Sequence, residues 1–585
     1  MAERESKPIY QVIFEKDLQM RTRDGVTLYA DVYRPDAPGR FPVLLVRTPY
    51  DKSQQLALSE KDYFPPHGYI VVVQDTRGRF RSEGEFYPFV HEADDGYDAI
   101  QWAAGLPWSD GKVGTVGQSY LGLVQYFAAS KAPPQLKAMS PVSGPVTYFE
   151  NCIFRRGVFE LAWMLIYFTF MARNTLERKA LSQEVTATLD SWLSHPEIPI
   201  SPLKPDLYRL LPLCQWGERF QDGAPYFADF LKHPNYDSYW AATDLRPLSR
   251  TMVAVPALHV GSWYDAFQYD TLTLFSGMRN ATTLEQARRA QKLLMGPWGH
   301  LLPYAVPTSQ GTGDIDFGPH AMIELHAIQC RWFDHLLKGI PNQVLDEPPI
   351  RLFVMGENRW RNENEWPLAR TRYTNVYLRS GGRANSLRGD GALAFDSPGN
   401  EPSDHFVYDP AEPVPTCGGT TLGLWLGVFD QSEIEQREDV LVYTGAPLSQ
   451  DLEVTGPVVL KLYAASSAPD TDFTAKLVDL RPTGYAQNIA EGVIRARFRE
   501  SLSAPSLIKP GEVYEYTVDL WATSHVFKAG HRLRLEVSSS NFPRYDRNLN
   551  TGHDFGVDAE LQAAHQNVFH DSRYASHLVL PLIPR

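Results

Sequence analysis

Three short motifs carry residue types that can perform acyl transfer: Gly117-Gln-Ser-Tyr-Leu-Gly122, Gly261-Ser-Trp-Tyr-Asp265 and Gly296-Pro-Trp-Gly-His300. A serine hydroxyl is a weak nucleophile until a base removes its proton. Ser119 is the candidate nucleophile. His300 is the candidate base, taking that proton and returning it to the leaving group. Asp265 would fix the imidazole tautomer and stabilise the imidazolium. The chain order Ser, Asp, His is that of α/β-hydrolases. The first motif departs from Gly-x-Ser-x-Gly, because its second glycine, Gly122, comes one place late. Taken singly, each motif has a plainer reading, a βα turn for the first and a structural Asp or His for the others. The three together, in this order, favour a site.

Each motif follows an apolar run that reads as a strand: Lys112–Val116 before the serine, Val255–Val260 before the aspartate, Gln291–Met295 before the histidine. Pro42–Val46 and Tyr69–Val73 are short, continuous and rich in β-branched residues, which suits strands buried on both faces of a parallel sheet. Leu136–Met139 reads the same way. Helical patterns lie between. Glu92–Trp102 opens with carboxylates near the positive end of the helix dipole, and Leu121–Ser130 follows the serine. Alternating strands and helices define an α/β fold. The C-terminal edge of such a sheet is where sites form. Ser119 then sits at a helix N-terminus, where backbone N–H groups can meet a developing oxyanion.

Two further textures follow. Between Tyr148 and Trp240 there are eighteen Phe, Trp or Tyr residues, denser than the 12% of the whole chain. This predicts a helical cap, inserted over about 146–245, that walls an apolar pocket; Trp163 and Phe168 are its candidate pocket residues. From about residue 346, near Asp346-Glu-Pro-Pro349, the pattern becomes all-β. Arg532–Val537 alternates charged and apolar residues, and Gly and Pro punctuate the intervals, as in a sandwich or jelly roll. The expected organisation is a catalytic α/β domain from 1–145 and 246–345, the cap at 146–245, and a β domain at 346–585. A helix ending at Lys338 is expected to cap on Gly339.

Lys and Arg total 56 and Asp and Glu 69, a net charge of −13. That balance disfavours nucleic acid or an anionic membrane as partner. The four cysteines, Cys152, Cys214, Cys330 and Cys417, are widely spaced and read as free thiols. The most hydrophobic stretch, Val158–Ala172, contains Glu160 and is short for a membrane span. The N-terminus has no apolar signal region, so the expectation is a soluble, cytoplasmic protein. His91-Glu-Ala-Asp-Asp95 lacks metalloprotease spacing, and neither a metal nor an organic cofactor is expected.

Five motifs together resemble the cocaine-esterase / X-Pro dipeptidyl-peptidase family of α/β-hydrolases, which also holds α-amino-acid ester hydrolases and glutaryl-cephalosporin acylases. They are Arg47-Thr-Pro-Tyr-Asp-Lys52, the Gln74–Gly84 run containing Asp75-Thr-Arg-Gly-Arg79, and the three motifs above, with the late Gly122 being that family's own spelling. The resemblance implies an α/β-hydrolase core followed by a C-terminal jelly roll of galactose-binding-like type. It implies an oxyanion hole built from the Tyr120 backbone N–H and the Tyr50 hydroxyl, and it makes a homodimer plausible. Asp75–Arg79 reads as a structural loop beneath the site. The activity implied is cleavage of an ester, amide or short peptide through an acyl-enzyme, and the aromatic cap suggests an apolar or aromatic acyl group. Two alternatives stay open: an X-Pro dipeptidyl-peptidase, which needs a cap carboxylate such as Glu160, Asp206, Glu218 or Asp222 for a free amine, and a glycan-binding β domain beside an idle hydrolase.

Overall fold

A computed structural model describes residues 5–54, 60–179, 187, 189, 191–192, 203–252, 254–300, 312–422 and 426–584. The continuous apolar runs become strands covered on both faces. They are β3 (Phe41–Thr48), β4 (Ile70–Asp75), β5 (Ser109–Gln118), β6 (Leu136–Val142), β7 (Ala257–Ser262) and β8 (Gln291–Gly296). Two N-terminal strands, β1 (Val12–Arg21) and β2 (Thr27–Pro35), precede them as an antiparallel pair. The helices α1 (Glu92–Ala104) and α2 (Tyr120–Ser130) form where the sequence patterns place them. So does α7 (Leu325–Lys338), which stops on Gly339 in the left-handed conformation at φ 72°.

The strands join in the order β1-β2-β4-β3-β5-β6-β7-β8 and continue into β9 (Ile350–Val354) and β10 (Arg359–Glu363). From β4 and β3 through β9 all neighbours are parallel. Two strands past the expected domain boundary near residue 346 thus belong to the first sheet. Leu293, Leu294 and Met295 of β8 pair with Ile350, Arg351 and Leu352 of β9, so Asp346–Pro349 is a connection inside the sheet. A five-residue apolar strand carries no mark of which sheet it joins, which is why composition alone misplaced it.

The cap lies between β6 and β7. It contains α3 (Leu161–Arg178), α4 (Cys214–Phe220) and α5 (Tyr226–Lys232), with part of the expected 146–245 insertion outside the described residues. Its core is aromatic because these short helices meet through Phe, Tyr and Trp faces. Helix α6 (Gln268–Asn280) returns the chain to the sheet. From Arg372 onward the chain is mostly strands, and these join in a second sheet whose longest member, Leu452–Ser466, pairs with Tyr514–Phe527 and His577–Ile583. Among the described residues, no helix is long and apolar enough to cross a membrane.

Candidate active site

Strand β5 ends at Gln118 and α2 begins at Tyr120, so Ser119 alone makes the turn. It does so at φ 63° and ψ −124°. A side chain with a Cβ in that region costs about 1–3 kcal/mol, and the surroundings hold it there. The Ser119 N–H donates to Val142 O at 2.9 Å, and the Ser119 carbonyl accepts from Gly122 and Leu123, each at 2.9 Å. The glycines leave no choice of size. A Cβ on Gly117 would sit 2.6 Å from the Leu121 Cβ, one on Gly122 2.8 Å from Val142 O, and one on Gly144 2.8 Å from the Leu123 nitrogen. Gly122 is thus late in the motif because it is the helix position that seats α2 flush against β6.

The acid and base arrive on the next strands over. β7 ends at Ser262 and β8 at Gly296, the two residues pair in register, and Asp265 and His300 lie just beyond. Asp265 is fully buried, with its two carboxylate oxygens 3.2 and 3.1 Å from His300 Nδ1. That bond needs the proton on Nδ1 and leaves Nε2 as the acceptor. The Phe267 N–H donates to Asp265 Oδ1 at 2.7 Å, and the Phe267 ring meets the imidazole edge-on at 5.2 Å. The side-chain amide of Gln118, next to the serine, donates to the His300 carbonyl.

The aromatic spacers in these motifs are anchors. Trp263 Nε1 donates to Phe353 O at 2.8 Å on β9, and Trp298 Nε1 to Ala321 O at 2.9 Å. The C-terminal domain also grips the Asp265 loop. The Tyr264 hydroxyl donates to Asn488 O at 3.0 Å, and the Gln268 side chain exchanges hydrogen bonds with both backbone groups of Ala522. Sequence reasoning offered no signal for this clamp.

Tyr50 follows β3 in a loop fixed at several points. Its N–H donates to Thr48 Oγ1 at 3.0 Å, Lys52 N donates to Asp75 Oδ1 at 2.7 Å, and the Arg79 guanidinium donates to Pro49 O at 2.9 Å. The Tyr50 ring packs edge-on to those of Tyr120 and Tyr167, at 6.3 and 6.5 Å. Burial pushes the Tyr50 phenol up to about 12, with the Tyr167 and Ser119 hydroxyls pulling the other way. The Tyr120 phenol instead donates to Glu92 Oε1 at 2.9 Å, and Arg47 holds the other Glu92 oxygen at 2.8 Å. Tyr120 therefore offers the site its backbone N–H, the first of α2, which has no acceptor within the helix. The Asp75–Arg79 loop holds its neighbours through its two arginines. Arg77 pairs with Asp24 and Asp95, and Arg79 braces the Tyr50 loop.

The two pocket expectations part company. Phe168 is fully buried among Phe220, Tyr226, Phe227 and Phe230, inside the cap. Trp163 is half-buried, with its ring 4.8 Å from that of Tyr167. Tyr167 and the exposed Phe170 both pack on Tyr50, at 6.5 and 6.1 Å. Residues 163, 167 and 170 share one face of α3 and 168 lies round the cylinder, so helical periodicity held the signal that aromatic density lacked. A separate cavity of about 980 Å³ lies between α4, α5 and the 546–558 segment, and no triad residue lines it.

A mostly parallel sheet, a strained serine between strand and helix, and a buried Asp–His pair on neighbouring strand ends define a serine hydrolase of the α/β-hydrolase class. Residues 24–302 match the model of the X-Pro dipeptidyl-peptidase (S15) family, and 342–579 that of the X-Pro dipeptidyl-peptidase C-terminal non-catalytic domain. The chain belongs to this family. A cocaine esterase from Rhodococcus sp. (strain MB1 Bresler) is 38% identical over 96% of this chain and 97% of its own. An aminopeptidase from a marine sediment Thaumarchaeota archaeon superposes with a TM-score of 0.84 at 26% identity, covering 99% of this chain and 97% of its own. An α-amino acid ester hydrolase superposes with a TM-score of 0.81 at 25% identity, covering 98% and 97%.

Proposed function

We propose that this serine hydrolase cleaves carboxylic esters with small apolar or aromatic acyl groups through an acyl-enzyme on Ser119. His300 takes the serine proton and delivers it to the leaving alcohol, and Asp265 stabilises the imidazolium between the two steps. The Tyr120 N–H and the Tyr50 hydroxyl receive the charge on the tetrahedral oxygen. A neutral phenol is a donor that strengthens as the carbonyl oxygen gains charge. The strained Ser119 turn, with the buried Asp265–His300 pair tied to it through Gln118, is the observation that carries this reading. Trp163, Tyr167 and Phe170 supply an aromatic wall for the acyl group, and a cocaine esterase among the relatives supports ester over amide.

An aminopeptidase among the structural neighbours supports a second reading, release of dipeptides from X-Pro chains. The cap carboxylates speak against it. Glu160 is buried 3.5 Å from Arg544, and Asp206, Glu218 and Asp222 are exposed. The test is a matched panel of p-nitrophenyl esters, phenylacetyl and glutaryl amides, and free and N-blocked Ala-Pro anilides, run with wild type and Ser119→Ala. Turnover of aryl esters with a burst, lost by about 10⁴–10⁶ in kcat in the variant, supports the esterase. Turnover confined to the free Ala-Pro anilide replaces it with the peptidase, and an unimpaired variant rejects Ser119.

A further inference from the structure

Arg79 is 1% exposed, yet among the described residues no carboxylate forms an ion pair with it. Its guanidinium is satisfied by neutral groups. Nε donates to Pro49 O at 2.9 Å, and one terminal nitrogen donates to Met171 O at 3.0 Å and Thr175 Oγ1 at 3.3 Å. The rings of Phe80 and Phe86 lie 5.4 and 5.0 Å away. The neighbouring loop residue Arg77 has two carboxylates, so this chain pairs an arginine where only structure is needed. Burying an unpaired cation is costly, and a neutral side chain would brace the same carbonyls more cheaply.

The position explains the charge. Pro49 O belongs to the peptide that joins Pro49 to Tyr50. Arg79 holds its carbonyl, and Thr48 Oγ1 holds its N–H at 3.0 Å. With both ends of the peptide fixed, the start of the Tyr50 side chain is fixed too. The other contacts, Met171 and Thr175, are on α3, the helix that carries Trp163 and Tyr167. We propose that Arg79 is the positioning residue of the oxyanion tyrosine: it locks the Pro49–Tyr50 peptide to the cap helix and brings a buried positive charge to the loop that carries the phenol. Its field at Tyr50 favours negative charge there, opposing the effect of burial. This rests on the donor role of Tyr50 given above.

A double-mutant cycle with Tyr50→Phe tests it on p-nitrophenyl ester turnover, with phosphonate labelling of Ser119 counting folded sites. Arg79→Met removes charge and fork, and Arg79→Lys keeps the charge alone. One oxyanion donor is worth about 10²–10³ in kcat, so a residue acting through it is expected to cost about 10- to 100-fold. Arg79→Met should lose that much kcat with KM little changed, and Arg79→Lys should recover part of it. In the Tyr50→Phe background, either Arg79 change should cost less than about twofold, since the group it positions is gone. An equal loss in both backgrounds, or no loss in either, overturns the proposal. If Arg79→Met yields no labelled protein, the Lys cycle is read by the same rule. Tyr50→Phe with wild-type kcat would instead reject the donor role itself, which separates the two failures.

Discussion

Removing one oxygen atom from Tyr50 is the most direct probe of the site. The ring packs against Tyr120, Tyr167 and Phe170 at 6.3, 6.5 and 6.1 Å, and Phe preserves those contacts. Loss of the hydroxyl should cost no more than about 1 kcal/mol of stability, the net worth of one neutral hydrogen bond. The catalytic cost should be larger, because the donor works in a buried site where charge develops. One such donor contributes about 2.7–4 kcal/mol to the barrier, or about 10²–10³ in kcat. With the phenol pushed up to about 12, it stays protonated through the neutral range. The loss should therefore be flat from about pH 6 to 9, since no titration of the donor falls inside that window. Stopped-flow turnover of a p-nitrophenyl ester gives acylation from the burst and deacylation from the steady state. Both steps pass through a tetrahedral oxyanion, so both should slow together. A kcat within about threefold of wild type, or a defect confined to KM, would refute the reasoning.

Ser119→Gly and Ser119→Ala should both be inactive, but the glycine variant should be the more stable by about 0.5–2 kcal/mol. A Cβ at φ 63° and ψ −124° costs about 1–3 kcal/mol, and glycine's greater unfolded freedom returns about 0.5–1; guanidinium midpoints in the reverse order would remove strain from the account. Phe168→Ala should lower stability by about 3–5 kcal/mol with KM for aryl esters little changed. Trp163→Ala should do the opposite, raising KM for aromatic acyl groups in steady-state kinetics while melting near wild type. His259 is fully buried between Tyr126 and Gln291, and burial lowers its pKa to about 4. A depressed folded pKa gives stability that is present above the unfolded value and lost as pH falls through the folded one. Melting temperature should thus decline from about pH 6.5 to 4, and less steeply in His259→Gln; parallel profiles would count against it.

The parallel core was legible in the sequence because buried strands and helix starts write themselves locally. Continuous β-branched runs, acidic helix openings and the Gly339 cap each depend on a few adjacent residues, and all formed where read. The Ser119, Asp265 and His300 motifs were legible for the same reason, since each sits at the end of its own strand. The end of the first sheet was not, because β9 joins it through hydrogen bonds that its own residues do not announce.

The sequence by itself determined which residues can act and in what order they come. Tertiary structure decided what each one touches. It turned Phe168 into cap core and Tyr167 into a neighbour of Tyr50, a difference of one residue and about 100° round α3. It brought the C-terminal domain onto the Asp265 loop through Asn488 and Ala522, more than two hundred residues away in the chain. It also set the buried Arg79, which has no carboxylate partner among the described residues, against the Pro49 carbonyl next to Tyr50. Such contacts depend on where distant elements pack, and packing is a property of the whole fold rather than of any window along the chain.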